Sequence, residues 1–478
     1  MWWFGAPLVH DGVSSTGAAF AYLGTATGLE VTPVWTATGE PFSLFGASVA
    51  GAGDVNGDGF DDVLVGASQF STTGLYEGRA ALFLGSATGL DGSPAWNADG
   101  YQSYENFGSS VAGAGDVNGD GYDDVVVGAR YYDGGQGFGE GRAVLYLGSA
   151  SGLSPTEAWM AESDKANAYF GHSVASAGDI NADGYGDVLV GAHGFDNDQN
   201  SNDGRAYVYL GGPAGLSETP SWTAELGDGG QGMFGYAVAS AGDVNGDGFG
   251  DVAVGAPDNS SCFYICRVSV YQGSASGLST LAALTISKSY TSDGFGNSVS
   301  PAGDVNGDGF GDLVVGATGS GSTGANAFVY LGASTGLATS PAWTVQSTQT
   351  SAAGAISVAS AGDVTGDGYG DVIVGMAGED TNWNGWNYSS SDSGRAYLYL
   401  GSADFCYEDL DGDAYGSTVQ IPATSTYCTN PGESAFDTDC DDSDAANNPG
   451  SMYEIPGDSI DQYCDGVDSC YRDSDHDG

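Results

Sequence analysis

Positive charge is scarce in this chain: 9 Lys and Arg stand against 62 Asp and Glu in 478 residues, for a formal net charge of -53. Like-charge repulsion makes nucleic acid and anionic membrane surfaces poor partners, so no nucleic acid and no membrane insertion are expected, and multivalent cations are favoured. Long apolar runs are also missing, and none approaches the roughly 20 residues that span a bilayer. The opening MWWFGAPLVHDG has neither the basic start nor the apolar run and small residues of a secretory signal. Histidine is limited to His10, His172, His193 and His476, at unrelated positions, with no nucleophile elbow, HExxH or phosphate-binding loop, so no enzyme is expected. Cysteine is sparse but patterned. Cys262 and Cys266 flank one loop and the other five fall between Cys406 and Cys470, which points to an oxidising, extracellular or cell-surface compartment.

What is abundant is glycine, 82 residues of it, and an acidic nonapeptide. DVNGDGFDD at Asp54 recurs as DVNGDGYDD at Asp116, DINADGYGD at Asp179, DVNGDGFGD at Asp243 and Asp304, and DVTGDGYGD at Asp363, with spacings of 62, 63, 64, 61 and 59 residues. Oxygens at positions 1, 3, 5, 7 and 9 of such a loop can converge on a hard cation. The expected donors are Asp54, Asn56, Asp58, the Phe60 carbonyl and Asp62, then Asp116, Asn118, Asp120, Tyr122 and Asp124, and Asp179, Asn181, Asp183, Tyr185 and Asp187. The later loops supply Asp243, Asn245, Asp247, Phe249 and Asp251, then Asp304, Asn306, Asp308, Phe310 and Asp312, and last Asp363, Thr365, Asp367, Tyr369 and Asp371. An EF-hand would place Glu at position 12 and a helix after it, whereas position 12 of the first loop is Val65, inside DDVLVGA. A strand leaves this loop.

Around each loop the order is constant. An FG dipeptide (Phe45-Gly46, Phe107-Gly108, Phe170-Gly171, Phe234-Gly235, Phe295-Gly296) precedes it, and an apolar run ending in Gly-Ala follows. A variable polar loop, an alternating run such as GRAVLYLGSASGL and a segment carrying Trp35, Trp96, Trp159, Trp222 or Trp343 complete the unit. Short β-branched and aromatic runs between glycine-rich turns are strands, about four per unit, and the tryptophans read as blade packing. The expected fold is all-β: a seven-bladed β-propeller over residues 1–402, entered at the second strand of its first blade and left before the fourth strand of its last. These residues resemble the FG-GAP repeat of integrin alpha-subunit propellers and of many bacterial surface proteins. The resemblance implies calcium (Ca2+) between the first and second strands of a blade on one face, and ligand-meeting loops between second and third strands on the other. In the last unit AAGAISV replaces FG and Thr365 replaces Asn, so weaker binding is expected there.

Residues 403–478 are rich in Asp and Cys and predict a small, loop-rich, disulfide- and metal-stabilised segment. They resemble the MopE-type metal-binding repeat of bacterial surface proteins, which implies ligands at Asp409, Asp411 and Asp413, and at Asp439, Asp441, Asp442, Asp444, Asp458, Asp461 and Asp465. All-oxygen donors suit calcium better than copper. Cys406 with Cys428 and Cys440 with Cys464 is one pairing among those the sequence allows. CYRDSDHDG at 470 repeats CYEDLDGDA at 406, so a second copy starts there and a longer natural chain is expected. Function reads as a calcium-stabilised adhesion or ligand-binding module, its unknown protein or glycan partner on the face away from the calcium loops. The alternatives are an accessory or catalytic part of a polysaccharide-acting or phospholipase-like enzyme, and a surface-coat protein. In the loop 378–395, Trp383, Trp386 and Tyr388 are candidate ligand contacts.

Overall fold

The five apolar runs that leave an acidic loop and end in Gly-Ala are strands buried along their whole length. Asp62–Ala67, Asp124–Ala129, Asp187–Ala192, Asp251–Ala256 and Asp312–Ala317 contain no exposed residue. A strand covered on both faces needs no polar alternation, which is why these runs read as continuous Val, Leu and Ala. The computed structural model describes residues 2–9, 15–196, 203–226, 232–257, 266–288, 294–318, 324–347, 356–376 and 395–402, with the backbone of 405–408, 420–422 and 433–434. The chain divides into two units, Met1–Gly401 and Ser402–Gly478.

The first unit is a seven-bladed propeller of antiparallel sheets, five of four strands and two of three. Blade 2 shows the plan: Phe45–Gly53, Asp62–Ala67, Arg79–Phe83 and Trp96–Asp99, each paired to the next. The FG strands lie innermost, packed in sequence from blade to blade. Among the described residues blade 1 has Trp2–Ala6, Ala18–Tyr22 and Trp35–Thr38 without an FG strand, and blade 7 has Ile356–Gly362, Asp371–Met376 and Arg395–Tyr399 without a tryptophan strand. A Cβ at Gly28 of blade 1 would stand 3.7 Å from Leu398 of blade 7, so the two incomplete blades meet. In the second unit Phe405–Glu408 pairs with Gln420–Pro422 and with Glu433–Ser434.

There is no single core. Among the described residues six apolar clusters lie between successive blades. The two-residue period of a strand sends Val63 and Val65 toward Ala19 and Ala21 of blade 1, and Leu64 toward Val125 and Val127 of blade 3. The tryptophans join the same seams. Trp35, Trp96, Trp159 and Trp222 each donate Nε1–H to a backbone carbonyl of the next blade, at Asp91, Ser154, Ser217 and Ser279, over 2.8 to 3.0 Å. Each also meets an aromatic ring of that blade edge-on, Phe83, Tyr146, Tyr209 and Tyr271. Blade 5 has Leu284 where blades 1 to 4 and 6 have tryptophan.

The FG and Gly-Ala signatures are two sides of one contact. A Cβ on Gly66 would stand 2.0 Å from the carbonyl oxygen of Gly108 in the next blade, and the same holds for Gly128 against Gly171, Gly191 against Gly235 and Gly255 against Gly296, at 2.0 to 2.1 Å. Only hydrogen fits between such backbones. Where FG is missing, in blade 7, the neighbour of Gly316 is instead the Ile356 side chain at 3.0 Å. Gly66→Ala is therefore expected to destabilise the propeller by about 3 kcal/mol, as overpacking against rigid backbone does. Gly375→Ala, whose Cβ would be 3.7 Å from Ser357, should cost far less when the two variants are compared by urea titration.

Candidate metal centres

The acidic nonapeptides are the turns between the first and second strands of blades 2 to 7, and they lie on one rim with the ends of the third strands. In the first, the Asp54 carboxylate accepts the amide N–H of Asp58 at 3.0 Å and of Gly59 at 2.7 Å. Asn56 Oδ1 also accepts from Asp58, Asp58 Oδ1 accepts from Phe60, and Asn56 Nδ2 donates to Asp58 Oδ2 at 2.9 Å. Positive φ at Gly57 and Gly59, 70° and 90°, lets the chain fold around its own carboxylate. The loops at Asp116, Asp179, Asp243 and Asp304 repeat these bonds. In the sixth, Asp363 is held low by its amide donors, and Thr365 Oγ1 is buried without a hydrogen-bond partner.

Position nine has an occupation that its spacing did not signal. Asp62 is fully buried, its Oδ2 accepting from Val55 N–H at 3.1 Å and its Oδ1 from Gly85 N–H at 2.8 Å, where the third strand ends. Asp124, Asp187, Asp251, Asp312 and Asp371 clamp Gly148, Gly211, Gly273, Gly332 and Gly401 in the same way. Burial pushes Asp62, Asp187 and Asp251 up to about 6 and Asp124 and Asp312 to about 7, against the opposing pull of those amides. The carboxylates at positions 5 and 1 add to the rise.

Neighbouring loops are also stitched to one another. The N–H at position eight donates to the position-one carbonyl of the preceding loop: Asp123 to Asp54, Gly186 to Asp116, Gly250 to Asp179, Gly311 to Asp243 and Gly370 to Asp304, over 2.7 to 3.3 Å. The aromatic side chain at position seven lies on the preceding loop, so that a Cβ on Gly57 would meet Tyr122 at 2.7 Å and one on Gly307 would meet Tyr369 at 2.5 Å. The loops thus form a hydrogen-bonded rim running across the blades.

The FG-GAP repeat profile matches residues 45–83, 107–146, 170–209, 234–276 and 295–331. These repeats and the integrin alpha relatives support an integrin-like FG-GAP propeller. Integrin alpha-IIb of Mus musculus is 42% identical over 159 residues, 32% of this chain and 15% of that protein. Integrin alpha pat-2 of Caenorhabditis briggsae is 33% identical over 220 residues, 43% and 17% respectively, and Integrin alpha-5 of Xenopus laevis 30% identical over 225 residues, 44% and 20%. The chain therefore spans at most a fifth of the length of these relatives. Among solved structures, the Dos1 propeller overlays with a TM-score of 0.38 at 8% identity, over 73% of this chain and 74% of that one, a likeness that carries no argument.

The donor chemistry of the FG-GAP loops fits a hard cation. Positions 1, 3 and 5 present oxygens around one turn, the position-seven carbonyl is backbone, and the position-nine oxygens each keep a lone pair beyond the one bound to an amide. Among the described residues no three His, Cys, Asp or Glu side chains are gathered closely enough to hold an ion by themselves, so the Asn or Thr oxygen and the carbonyl are needed to complete a site. Asp409 to Asp465 of the second unit, and Trp383, Trp386 and Tyr388, lie outside the described residues.

The buried position-nine acids make stability depend on pH. Their folded pKa is raised, so the stability they contribute is full below about 4 and lost as pH rises through 6 to 7. In chelator, the melting temperature should fall between pH 5 and pH 8, and saturating calcium should flatten that fall; a melting temperature that rises over this range would contradict the assignment. Separately, Asp124→Ala strands two buried amides, Val117 N–H and Gly148 N–H, and is expected to cost about 1–3 kcal/mol for each in chemical denaturation.

Proposed function

We propose that this chain is a secreted or cell-surface adhesion module: an FG-GAP propeller stiffened by structural calcium on one face and binding a protein or glycan on the other. The observation that carries this reading is the division of labour between the two faces. One carries the acidic loops, each tied by its ninth residue to its own second residue and to the end of the third strand. The other carries the loops after Gly-Ala and before FG, where Phe42, Leu75, Tyr76, Tyr104 and Phe138 are exposed by 38 to 64%. Exposed aromatic side chains grouped on one surface are what binding faces offer. These loops are well anchored: the Glu77 carboxylate accepts amide hydrogen bonds from Thr72, Thr73 and Gly74, which hold it at about 2.

A structural role for the ion follows from the loop's ties. A sensor needs an element with two arrangements, whereas each loop here is fixed to its own blade and to a neighbouring one. Repulsion among the carboxylates at positions 1, 5 and 9 is the term that a divalent cation removes. The acidic set Asp409 to Asp465 is assigned the same ion on donor chemistry alone. Cys266, buried and disulfide-bonded, supports an oxidising compartment, and no helix among the described residues is long and apolar enough to cross a membrane.

Two measurements test the proposal. Calorimetry in chelator and then in millimolar calcium should show a saturable rise in melting temperature of 10 °C or so for six weak sites acting together, on the mass-action relation; an unchanged melting temperature removes structural calcium. Calcium-loaded chain applied to glycan and extracellular-protein arrays should give signals that chelator abolishes, and a blank on both arrays removes the adhesion reading.

A further inference from the structure

Arg130 is out of place in this molecule. Other arginines recur with the repeat at the start of the third strand and are ion-paired there: Arg79 with Asp99, Arg142 with Glu105 and Arg205 with Glu225. Arg130 instead follows Gly-Ala of blade 3. Its Nε is buried without a hydrogen-bond partner, and among the described residues the ion pairs involve Arg79, Arg142 and Arg205 and not Arg130. In a chain of net charge -53, an unpaired guanidinium is not for want of acids.

Its neighbours are unusual in the same way. His172 and Ser109 follow FG in blades 4 and 3, and His193 follows Gly-Ala in blade 4. The backbone register brings these positions together. Ser173 is opposite Gly191 and Ser110 opposite Gly128, while Gly128 of blade 3 abuts Gly171 of blade 4. The order around the inner rim is thus Ser109, Arg130, His172 and His193, ending against Tyr236 of blade 5. Ring centroids of His172 and His193 are 4.3 Å apart, and Tyr236 is 4.7 and 5.2 Å from them. Ser109 Oγ, Arg130 Nε, His172 Nδ1 and His193 Nδ1 are all buried atoms with no hydrogen-bond partner. Four adjacent polar groups left unsatisfied, on half-buried residues, mark a place where a ligand supplies the missing bonds.

We propose that Ser109, Arg130, His172 and His193 form a receptor for one carboxylate, carried on an acidic side chain of a polypeptide partner. A guanidinium takes a carboxylate through two parallel N–H bonds, and hydroxyl and imidazole N–H groups donate to its remaining lone pairs. Burial, together with the Arg130 charge, holds His193 near 4 and His172 well below its ordinary value, so both imidazoles are neutral at pH 7. The site then offers a single positive charge to a single negative one. A cation is a poor occupant beside a fixed guanidinium.

Charge and shape both favour a polypeptide. A glycan with a carboxylate on every residue would meet the -53 chain repeatedly and only one cation here. A folded or extended partner can insert one acid and lay apolar residues on the surrounding rings. Those rings are present: Tyr169 stacks on His193, Tyr131 meets Tyr169, and the exposed Phe138 stacks on Tyr131. Arg130 lies over the Tyr131 ring at 4.9 Å, which holds the guanidinium in place for a ligand.

This inference rests on the binding-face reading above, and its test is separable from it. Random heptapeptides with a fixed central Asp, and the same library with central Asn, are passed over immobilised calcium-loaded full chain, with oligogalacturonate as a third probe. The Asp library should be retained at least tenfold over the Asn library, and Arg130→Gln should abolish the preference. Should that variant fold poorly, as judged by its melting temperature, Ser109→Ala and His172→Gln should each weaken the preference severalfold. Equal retention of the two libraries overturns the proposal, as does a preference that survives Arg130→Gln in folded protein. Arg130-dependent retention of oligogalacturonate without peptide preference overturns the polypeptide assignment. If arrays show calcium-dependent ligands that Arg130→Gln leaves untouched, the adhesion reading stands and this inference falls.

Discussion

Every blade of this propeller depends on the blade beside it. A four-stranded antiparallel sheet with two apolar faces has no core of its own, and it becomes stable only when both faces are covered. The described clusters accordingly lie between blades. How close the blades can come is set at the inner rim, where a Gly-Ala glycine faces the carbonyl of the next FG glycine with no space for a methyl group. Farther out, large side chains fill the widening gap, and the tryptophan that packs there also donates a hydrogen bond across the seam. Glycine inside and tryptophan outside are two answers to the same wedge-shaped space.

The acidic loops belong to the same scheme. Their first, third and fifth residues organise a turn, while the ninth is drawn under it to hold the loop against the end of the third strand. A buried carboxylate with two amide donors is an expensive clamp at neutral pH, since its charge is only partly compensated. A divalent cation over the turn, as proposed above, would relieve that cost.

On the opposite face the repeat pattern relaxes. Residues after FG and after Gly-Ala carry no packing role common to all blades, and they vary: Ser109, His172, Tyr236 and Asn297 in one series, Ser68, Arg130, His193 and Thr318 in the other. A scaffold fixed by glycine contacts can vary such positions at little cost in stability. The unpaired Arg130 and its two histidines stand at positions of that kind.

Much of this was legible in the sequence alone. The 59- to 64-residue period, the strand-forming runs and the order of FG, acidic loop and Gly-Ala determined the propeller, the blade count and the entry at a second strand, because each repeats a local rule. The tryptophans were recognisable as packing for the same reason. Other features depended on contacts between residues about 60 positions apart, which no local pattern encodes. Asp62 and its counterparts look like ligands in the nonapeptide, yet only the fold shows them gripping Gly85 and its equivalents. His172 and His193 appear unrelated along the chain. Strand pairing sets them side by side, and the neighbouring blade brings Arg130 to them, because a propeller places like positions of successive repeats next to one another.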